Sequence, residues 1–308
     1  MFEVERETER GVFMTLELKN IGMIKEASVK IDGLTVIAGE NDTGKSTVGK
    51  AIFLYLHLST SNKKANSLAH DIFGYGLNPS NNPEIGIDKD KEYQVIMIET
   101  PLVWSFTDFF RDIAQIESQF ELKLDYPYLM KDLNFKLHIK SASNGLDIKE
   151  KVTSLMGGEF KKDEIGRYYF DKKGQRVELV NTATGIKYFG IFQVLSQNNY
   201  LNKDTVLVLD EPEVHLHPKW QLEMAKIIVE LVKNGVKIVV NSHSPYMIEA
   251  LERYAEKAEV PADFYLAEGG FIDKVEDNNS KTLAKIFHKL SAPYETFNQM
   301  DSETLKGG

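Results

Sequence analysis

Three short segments combine residue types that can do chemistry together. The first, Gly39-Glu40-Asn41-Asp42-Thr43-Gly44-Lys45-Ser46, fits the pattern G-x-x-x-x-G-K-[ST]. Glycines in this pattern let backbone N–H groups curl around phosphate oxygens, and a helix opening at Ser46 turns its positive end to the same anion. Lys45 is expected to reach the β- and γ-phosphates of ATP and the Ser46 hydroxyl to ligate Mg²⁺, with Thr47 completing the contact set. The second segment, Val206-Leu207-Val208-Leu209-Asp210-Glu211, carries two carboxylates to the end of an apolar run. Asp210 is expected to hold Mg²⁺, directly or through water. Glu211 is placed to orient and deprotonate the water that attacks the γ-phosphate. In the third, Asn241-Ser242-His243-Ser244-Pro245, an imidazole follows another apolar run and can donate to the γ-phosphate or to the attacking water. Glu211, His243 and Lys45 are therefore the candidate catalytic residues.

Such residues work only if strands and helices deliver them to one place. Thr15–Lys19 and Ala27–Ile31 alternate in the strand manner around a turn at Asn20-Ile21-Gly22. Leu34–Ala38 is almost wholly apolar, as expected of a strand covered on both faces, and runs straight into the glycine-bounded loop. A helix is expected from Ser46 to about Leu58. Loop chemistry dominates residues 59–93, residues 94–100 read as a strand, and Phe106, Phe109, Phe110, Ile113 and Ile116 recur at helical spacing as core. Arg167–Phe170 and Val177–Val180 flank the turn Asp171-Lys172-Lys173-Gly174 as a hairpin. A helix over Ile186–Leu195, the strand 206–209, a helix through Trp220, Met224 and Leu231, and the strand Val236–Val240 complete a strand–helix–strand rhythm. That rhythm predicts an α/β fold with a mainly parallel sheet covered by helices, an N-terminal antiparallel β portion and an α-rich insertion. Residues 1–60 and 165–265 are expected to form the head, 61–164 a mainly helical lobe, and 266–308 a tail. No heptads are sustained over several turns, so no long coiled-coil arm is expected.

Composition narrows the classes. The chain has 308 residues, 42% hydrophobic and 27% charged, which fits a globular protein and not a disordered one. Without cysteine, disulfides, iron–sulfur clusters and thiolate zinc sites are excluded. A formal charge of −9 argues against a generic nucleic-acid coat. No apolar run approaches the ~20 residues that cross a bilayer, and the opening Met1-Phe2-Glu3-Val4-Glu5-Arg6-Glu7 is too acidic for a targeting peptide. A cytoplasmic protein with no membrane association is expected.

Gly39–Ser46, Leu209-Asp210-Glu211-Pro212-Glu213-Val214-His215-Leu216-His217-Pro218 and Asn241–Pro245 together resemble the ATPase core of ABC-class P-loop ATPases. The likeness is nearest to the OLD-type (overcoming lysogenization defect) ATPases of phage-defence systems, and it covers residues 12–58 and about 165–250. The D-E-P-E-x-x-L-H-P string separates this group from ABC transporters. The resemblance implies Mg²⁺-dependent ATP hydrolysis and a homodimer, or higher homo-oligomer, that sandwiches ATP between heads. A signature loop from the opposite subunit would complete each site. The matching segment here is Asn181–Lys187, with Thr184 and Gly185 as further nucleotide contacts; it departs from L-S-G-G-Q by its threonines and its single glycine. Asp42 stands where glycine is common, and Asp tolerates left-handed backbone angles. Glu99 occupies roughly the location of the family's glutamine lid residue.

Such ATPases imply a separate effector, a nuclease or toxin, in an anti-phage defence or nucleic-acid-processing complex. The stretch after His243 is expected to be too short for a Toprim nuclease domain of about 100 residues. An alternative is an ATP-bound scaffold with little turnover that cages such a partner. A third reading makes the chain a metal-dependent nuclease through Asp210, Glu211 and Glu213. His215 and His217, with Glu213 nearby, offer a zinc reading that lacks a third ligand and a second shell, whereas the resemblance assigns them to the loop crossing the dimer interface. Lys161, Lys162, Lys172 and Lys173 read as a solvated hairpin face, with nucleic acid as a further candidate partner.

Overall fold

A computed structural model of the chain describes residues 14–60, 64–76, 81–121, 126–214 and 216–306. His215, residues 61–63 and 78–80 of the expected loops, and Met1–Glu7 lie outside the described residues.

The apolar run β3 (Leu34–Ala38) sits inside a nine-stranded sheet, buried at every position. Beside it lie β10 (Lys237–Ser242) and then β9 (Thr205–Asp210), both parallel to it, with β11 (Ala262–Glu268) on its other side. Strand β5 (Gln94–Ile98) extends the parallel run past β9. Period-two alternation assigns the faces. Leu34, Val36, Leu207, Leu209, Ile238 and Val240 belong to one core cluster, and Ile37, Val206, Val208 and Val239 to the other. The first face is covered by α6 (Thr184–Gln197), α7 (Pro218–Lys233) and α8 (Pro245–Ala258), which contribute Phe189, Phe192, Met224, Ile228, Met247 and Leu251. The second face receives Val48, Ile52 and Phe53 of α1 (Lys45–Thr60). A sheet buried on both faces needs near-continuous apolar strands, which is why these read so plainly.

The N-terminal hairpin of β1 (Met14–Ile21) and β2 (Ile24–Ile31) is antiparallel and joins the sheet through the short β12 (Phe271–Asp273), parallel to β2 and antiparallel to β11. The stretch 61–164 carries the helices α2 (Ala65–Phe73), α3 (Thr107–Phe120), α4 (Tyr128–His138) and α5 (Lys149–Met156). It is not set wholly apart from the head, because β4 (Glu84–Asp88) pairs with β1 and β5 with β9. The hairpin β7 (Tyr168–Lys172) and β8 (Gln175–Glu178) turns through Lys173 and Gly174, as expected, and gains a third strand, β6 (Glu159–Lys162). Its second arm ends at Glu178, since Leu179–Asn181 form a 3₁₀ turn rather than a strand. The expected tail contains β12 and a helix, α9 (Asn279–Lys306), whose Leu283 and Ile286 pack into the first core cluster.

Among the described residues no helix is long and apolar enough to cross a membrane.

Candidate active site

The register of the parallel strands places the chemistry. Ala38 lies opposite Ser242, Asn241 opposite Asp210, and Leu209 opposite Ile98. The four strands therefore end at one level, and the loop from Gly39, the Asp210-Glu211 pair, His243 and Glu99 all leave the same sheet edge. This is where open α/β sheets bind ligands.

The loop's backbone requires its glycines. Gly44 has φ of 90°, and a Cβ there would lie 2.3 Å from Ile24 Cδ1; a Cβ on Gly39 would lie 2.6 Å from the Ala267 carbonyl oxygen. Asp42 adopts φ of 63°, the left-handed conformation anticipated for it. Thr43 Oγ1 donates to the Glu40 carbonyl (2.9 Å). Lys45 is buried; its Nζ donates to the carbonyls of Gly39 (3.0 Å) and Glu40 (2.6 Å). Burial lowers the Lys45 pKa from its ordinary value, while the charges of Glu211, Asp210, Glu213 and Glu40 oppose that shift. Asn41–Thr47, with Met23 and Glu211, line an open cleft of about 300 Å³.

Across this cleft Ser46 Oγ donates to Asp210 Oδ1 (3.1 Å), which also accepts from Asn241 Nδ2 (2.8 Å). Glu211 takes φ of 49°, uncommon for a side chain with a Cβ. Its backbone is held there, the N–H donating to the Asn241 carbonyl (2.9 Å) and the carbonyl accepting from Val214 N–H (3.0 Å). The Glu211 side chain is thereby turned toward His243, whose Nδ1 lies 3.1 Å from Glu211 Oε1. An ionised carboxylate oxygen accepts only, so beside ionised Glu211 the proton of this contact belongs to Nδ1.

The structure thus brings Lys45, Ser46, Asp210, Glu211 and His243 together. Glu99 joins them: it lies 3.5 Å from Lys50 of α1, and burial raises its pKa, with the Asp210 charge adding and Lys50 opposing. Thr184 and Gly185 fall in the first turn of α6, which starts two residues earlier than the spacing suggests. A Cβ on Gly185 would meet Leu216 Cδ2 at 3.1 Å. Among the described residues no hydrogen bond or ion pair joins Thr184 or Gly185 to the Gly39–Ser46 loop of the same chain.

His217 caps α7, its Nδ1 accepting from Lys219 N–H (3.3 Å), and Glu213 is buried in hydrogen bonds of its own. No group of three His, Cys, Asp or Glu able to hold a metal is formed among the described residues. Lys161 is paired with Glu159 (2.9 Å) and Asp171 (2.6 Å), as a solvated hairpin face would be. Two further residues, both inside the sequence motifs but given no role in ATP chemistry there, position this cluster. Asn241 orients Asp210, and Glu213 holds the His243 backbone (Oε1 to His243 N, 3.0 Å). Asn241 does carry a signal, a polar amide at the end of an apolar strand directly opposite an aspartate.

Residues 111–248 match the family model described as "AAA ATPase domain". The matched span begins beyond the Gly39–Ser46 loop and includes Asp210, Glu211 and His243. Among solved structures, the chain is similar to an Smc head bound to the C-winged helix domain of ScpA, at 12% identity over 85% of this chain and 96% of that one (TM-score 0.49). It is also similar to a Pyrococcus furiosus Smc head with an extended coiled coil bound to the C-terminal domain of ScpA, at 12% identity over 85% and 95% (TM-score 0.45). An ATP-binding cassette of an ABC transporter in its ADP conformation matches at 14% identity over 91% and 99% (TM-score 0.44). The fold assignment rests on strand order and register rather than on these distant likenesses. The family match and the strand–loop–helix geometry support an ATPase domain with a P-loop.

Proposed function

We propose that the chain is an Mg²⁺-dependent ATPase that acts as a nucleotide-driven dimer switch and controls a separate effector. The observation that carries the ATPase reading is the Ser46 to Asp210 hydrogen bond (3.1 Å), which sets a hydroxyl and a carboxylate together beside the loop that holds Lys45. Both are hard oxygen donors of the kind Mg²⁺ takes. Asp210 keeps a second carboxylate oxygen, and the buried Asn241 Oδ1 beside it has no hydrogen-bond partner among the described residues. The donor set therefore fits a hydrated divalent cation. When bound, such a cation neutralises developing charge on the phosphates.

The chain's own residues supply the rest. Backbone N–H groups of Asn41–Thr47 and the start of α1 bind the phosphates, and Lys45 exchanges its loop carbonyls for phosphate oxygens. Glu211, held by its backbone, orients and deprotonates the attacking water. His243, with Nδ1 committed to Glu211, presents Nε2 to the water or the γ-phosphate. The dimer and the effector rest on the likeness of Asp210–Pro218 and Asn181–Lys187 to ATPases of phage-defence systems. The test is phosphate release from ATP by the purified chain with Mg²⁺ and with EDTA, beside Lys45→Ala. Release that is absent from the wild type, or equal in both proteins, would refute the ATPase reading.

A further inference from the structure

We infer that Glu213, assisted by Gln221, is a positioning residue whose carboxylate latches the His243 segment to the loop after Glu211. This rests on the ATPase reading and adds to it a residue that sets the aim of His243.

The strands alone do not hold His243. The β9–β10 ladder ends at Asn241 opposite Asp210, and β10 itself ends at Ser242. Beyond that point the imidazole is half-exposed; among the described residues its ring makes one hydrogen bond, Nδ1 to Glu211 (3.1 Å), with Glu213 Oε1 a longer 3.6 Å away. What holds its backbone is Glu213. A single oxygen, Oε1, accepts from three consecutive residues: Ser242 Oγ (2.7 Å), His243 N–H (3.0 Å) and Ser244 N–H (3.2 Å). The Glu213 side chain is 3% exposed, and its Oε2 is buried without a partner among the described residues. Burial raises its pKa, and the hydrogen bonds from Ser242 and the His243 backbone oppose that shift. A carboxylate placed at such cost in desolvation needs compensation, and three donors converging on one oxygen supply it.

A second strap runs parallel to the first. Gln221 Nε2 donates to the Leu216 carbonyl (3.1 Å), while its Oε1 accepts from Ser244 Oγ (2.8 Å). Segments 213–216 and 242–244 are therefore joined at both ends by buried side chains. Because Glu213 lies two residues past Glu211, any shift of this loop would carry base and imidazole together.

The experiment measures kcat, KM and ATP affinity of the full chain carrying Glu213→Ala, Glu213→Gln or Gln221→Ala, alone and with His243→Ala. Misplacing a catalytic group by about 1 Å can cost on the order of 10²-fold, so Glu213→Ala should lower kcat by roughly 10- to 100-fold. KM and affinity should stay within about twofold, because the phosphate loop is untouched. Glu213→Gln keeps an oxygen for the same three donors and should recover kcat to within roughly threefold of wild type. In a His243→Ala background, Glu213→Ala should add little, the non-additivity expected of groups acting as a unit. A wild-type kcat in Glu213→Ala, or an equal fall with and without His243, would overturn the latch. Should Glu213→Ala fail to fold, Gln221→Ala must show the same split of kcat from KM, and a wild-type kcat there overturns the latch as well. Failure of the ATPase reading is seen separately, as ATP affinity that Lys45→Ala leaves unchanged.

Discussion

Ser46 and Asp210 stand 164 positions apart in sequence, yet the Ser46 hydroxyl donates to the Asp210 carboxylate at 3.1 Å. Two parallel neighbours of β10 bring them together, β3 on one side and β9 on the other. The motif that reads as a phosphate loop and the one that reads as an acidic strand end are thus one site in space.

Nucleotide binding should depend on Lys45. The ammonium already makes two short contacts within the loop, to Gly39 O (3.0 Å) and Glu40 O (2.6 Å), and would exchange them for phosphate oxygens. Lys45→Ala removes a charge-assisted contact of roughly 1.5–3 kcal/mol, a loss of about tenfold to a hundredfold in ATP affinity. Calorimetry beside a circular dichroism spectrum checks this. Unchanged affinity in a folded variant rules out the assignment of the loop.

Turnover should depend on Glu211. Glu211→Gln keeps the side chain's shape but removes the base, so binding should persist while hydrolysis falls, roughly 10²–10⁴-fold. Asp210→Ala should instead weaken the Mg²⁺ dependence of binding, read by titrating the metal at fixed ATP. His243→Ala should depress kcat with a smaller effect on affinity. A wild-type rate in Glu211→Gln would assign the water to another residue.

Much of this arrangement is legible from the chain, and the physical reason is burial. Leu34–Ala38, Val206–Leu209 and Val236–Val240 are covered on both faces, so they are apolar at all positions but Thr35 and Lys237, and the first polar residues after each run stand at the sheet edge. Other parts are not legible because their partners are distant. Strand β4 is an edge strand with only Ile87 buried, and β12 has three residues; both exist because β1 and β2 offer a ladder. The Glu213 carboxylate stands in the D-E-P-E string, but the sequence does not show that it is buried or what it bonds. Its burial is set by donors from Ser242–Ser244, on a different strand's end.

Core packing under α6 makes a stability prediction. A Cβ on Gly190 would lie 2.3 Å from Phe160 Cε2, and that ring is stacked on Trp104 at 5.0 Å and packed on Phe170 at 5.5 Å. Overpacking costs about 1–3 kcal/mol, while Ala in place of Gly in a helix returns about 1 kcal/mol. Gly190→Ala should therefore cost a net of roughly 0–2 kcal/mol, read as a lower urea midpoint at unchanged slope. A midpoint at or above wild type would mean that the Phe160 ring has room to swing.

Acid should loosen the contact of α9 with the head. Glu268 of β11 accepts from Lys289 (2.6 Å) and pairs with Lys285 (2.9 Å), and the two ammonium groups lower its pKa from 4.5 to about 2. A carboxyl depressed on folding stabilises above its unfolded pKa and loses that contribution as pH falls from about 4.5 toward 2. Solvent screens this exposed group, so the gain at neutral pH is at most about 1 kcal/mol. Melting of wild type and Glu268→Gln should differ slightly at neutral pH and converge in acid. A gap that widens in acid would reverse the sign of this linkage.

In the proposed dimer, pairing of heads would turn on Thr184 and Gly185. They occupy the first turn of α6, after Ala183, which offers no side-chain cap. The first N–H groups of that helix are consequently available to an outside acceptor, and the helix dipole favours an anion there. By the resemblance of Asn181–Lys187 to a signature loop, the acceptor proposed is ATP held by a second copy. A two-fold arrangement would bury two nucleotides between two loops and two such helix starts, an isologous interface. ATP should then raise the particle mass, most visibly in Glu211→Gln, where bound ATP survives. Thr184→Asp would set a negative charge where the proposed dimer places the phosphate, whereas Gly185→Arg would also press on Leu216 Cδ2, 3.1 Å from the new Cβ. Both should abolish the mass change while each monomer still binds ATP at Lys45. Light scattering of Glu211→Gln with and without Mg-ATP, alone and with each signature substitution, decides it. A mass that ATP does not change, or dimers indifferent to Thr184→Asp, would mean that the heads do not pair through this helix.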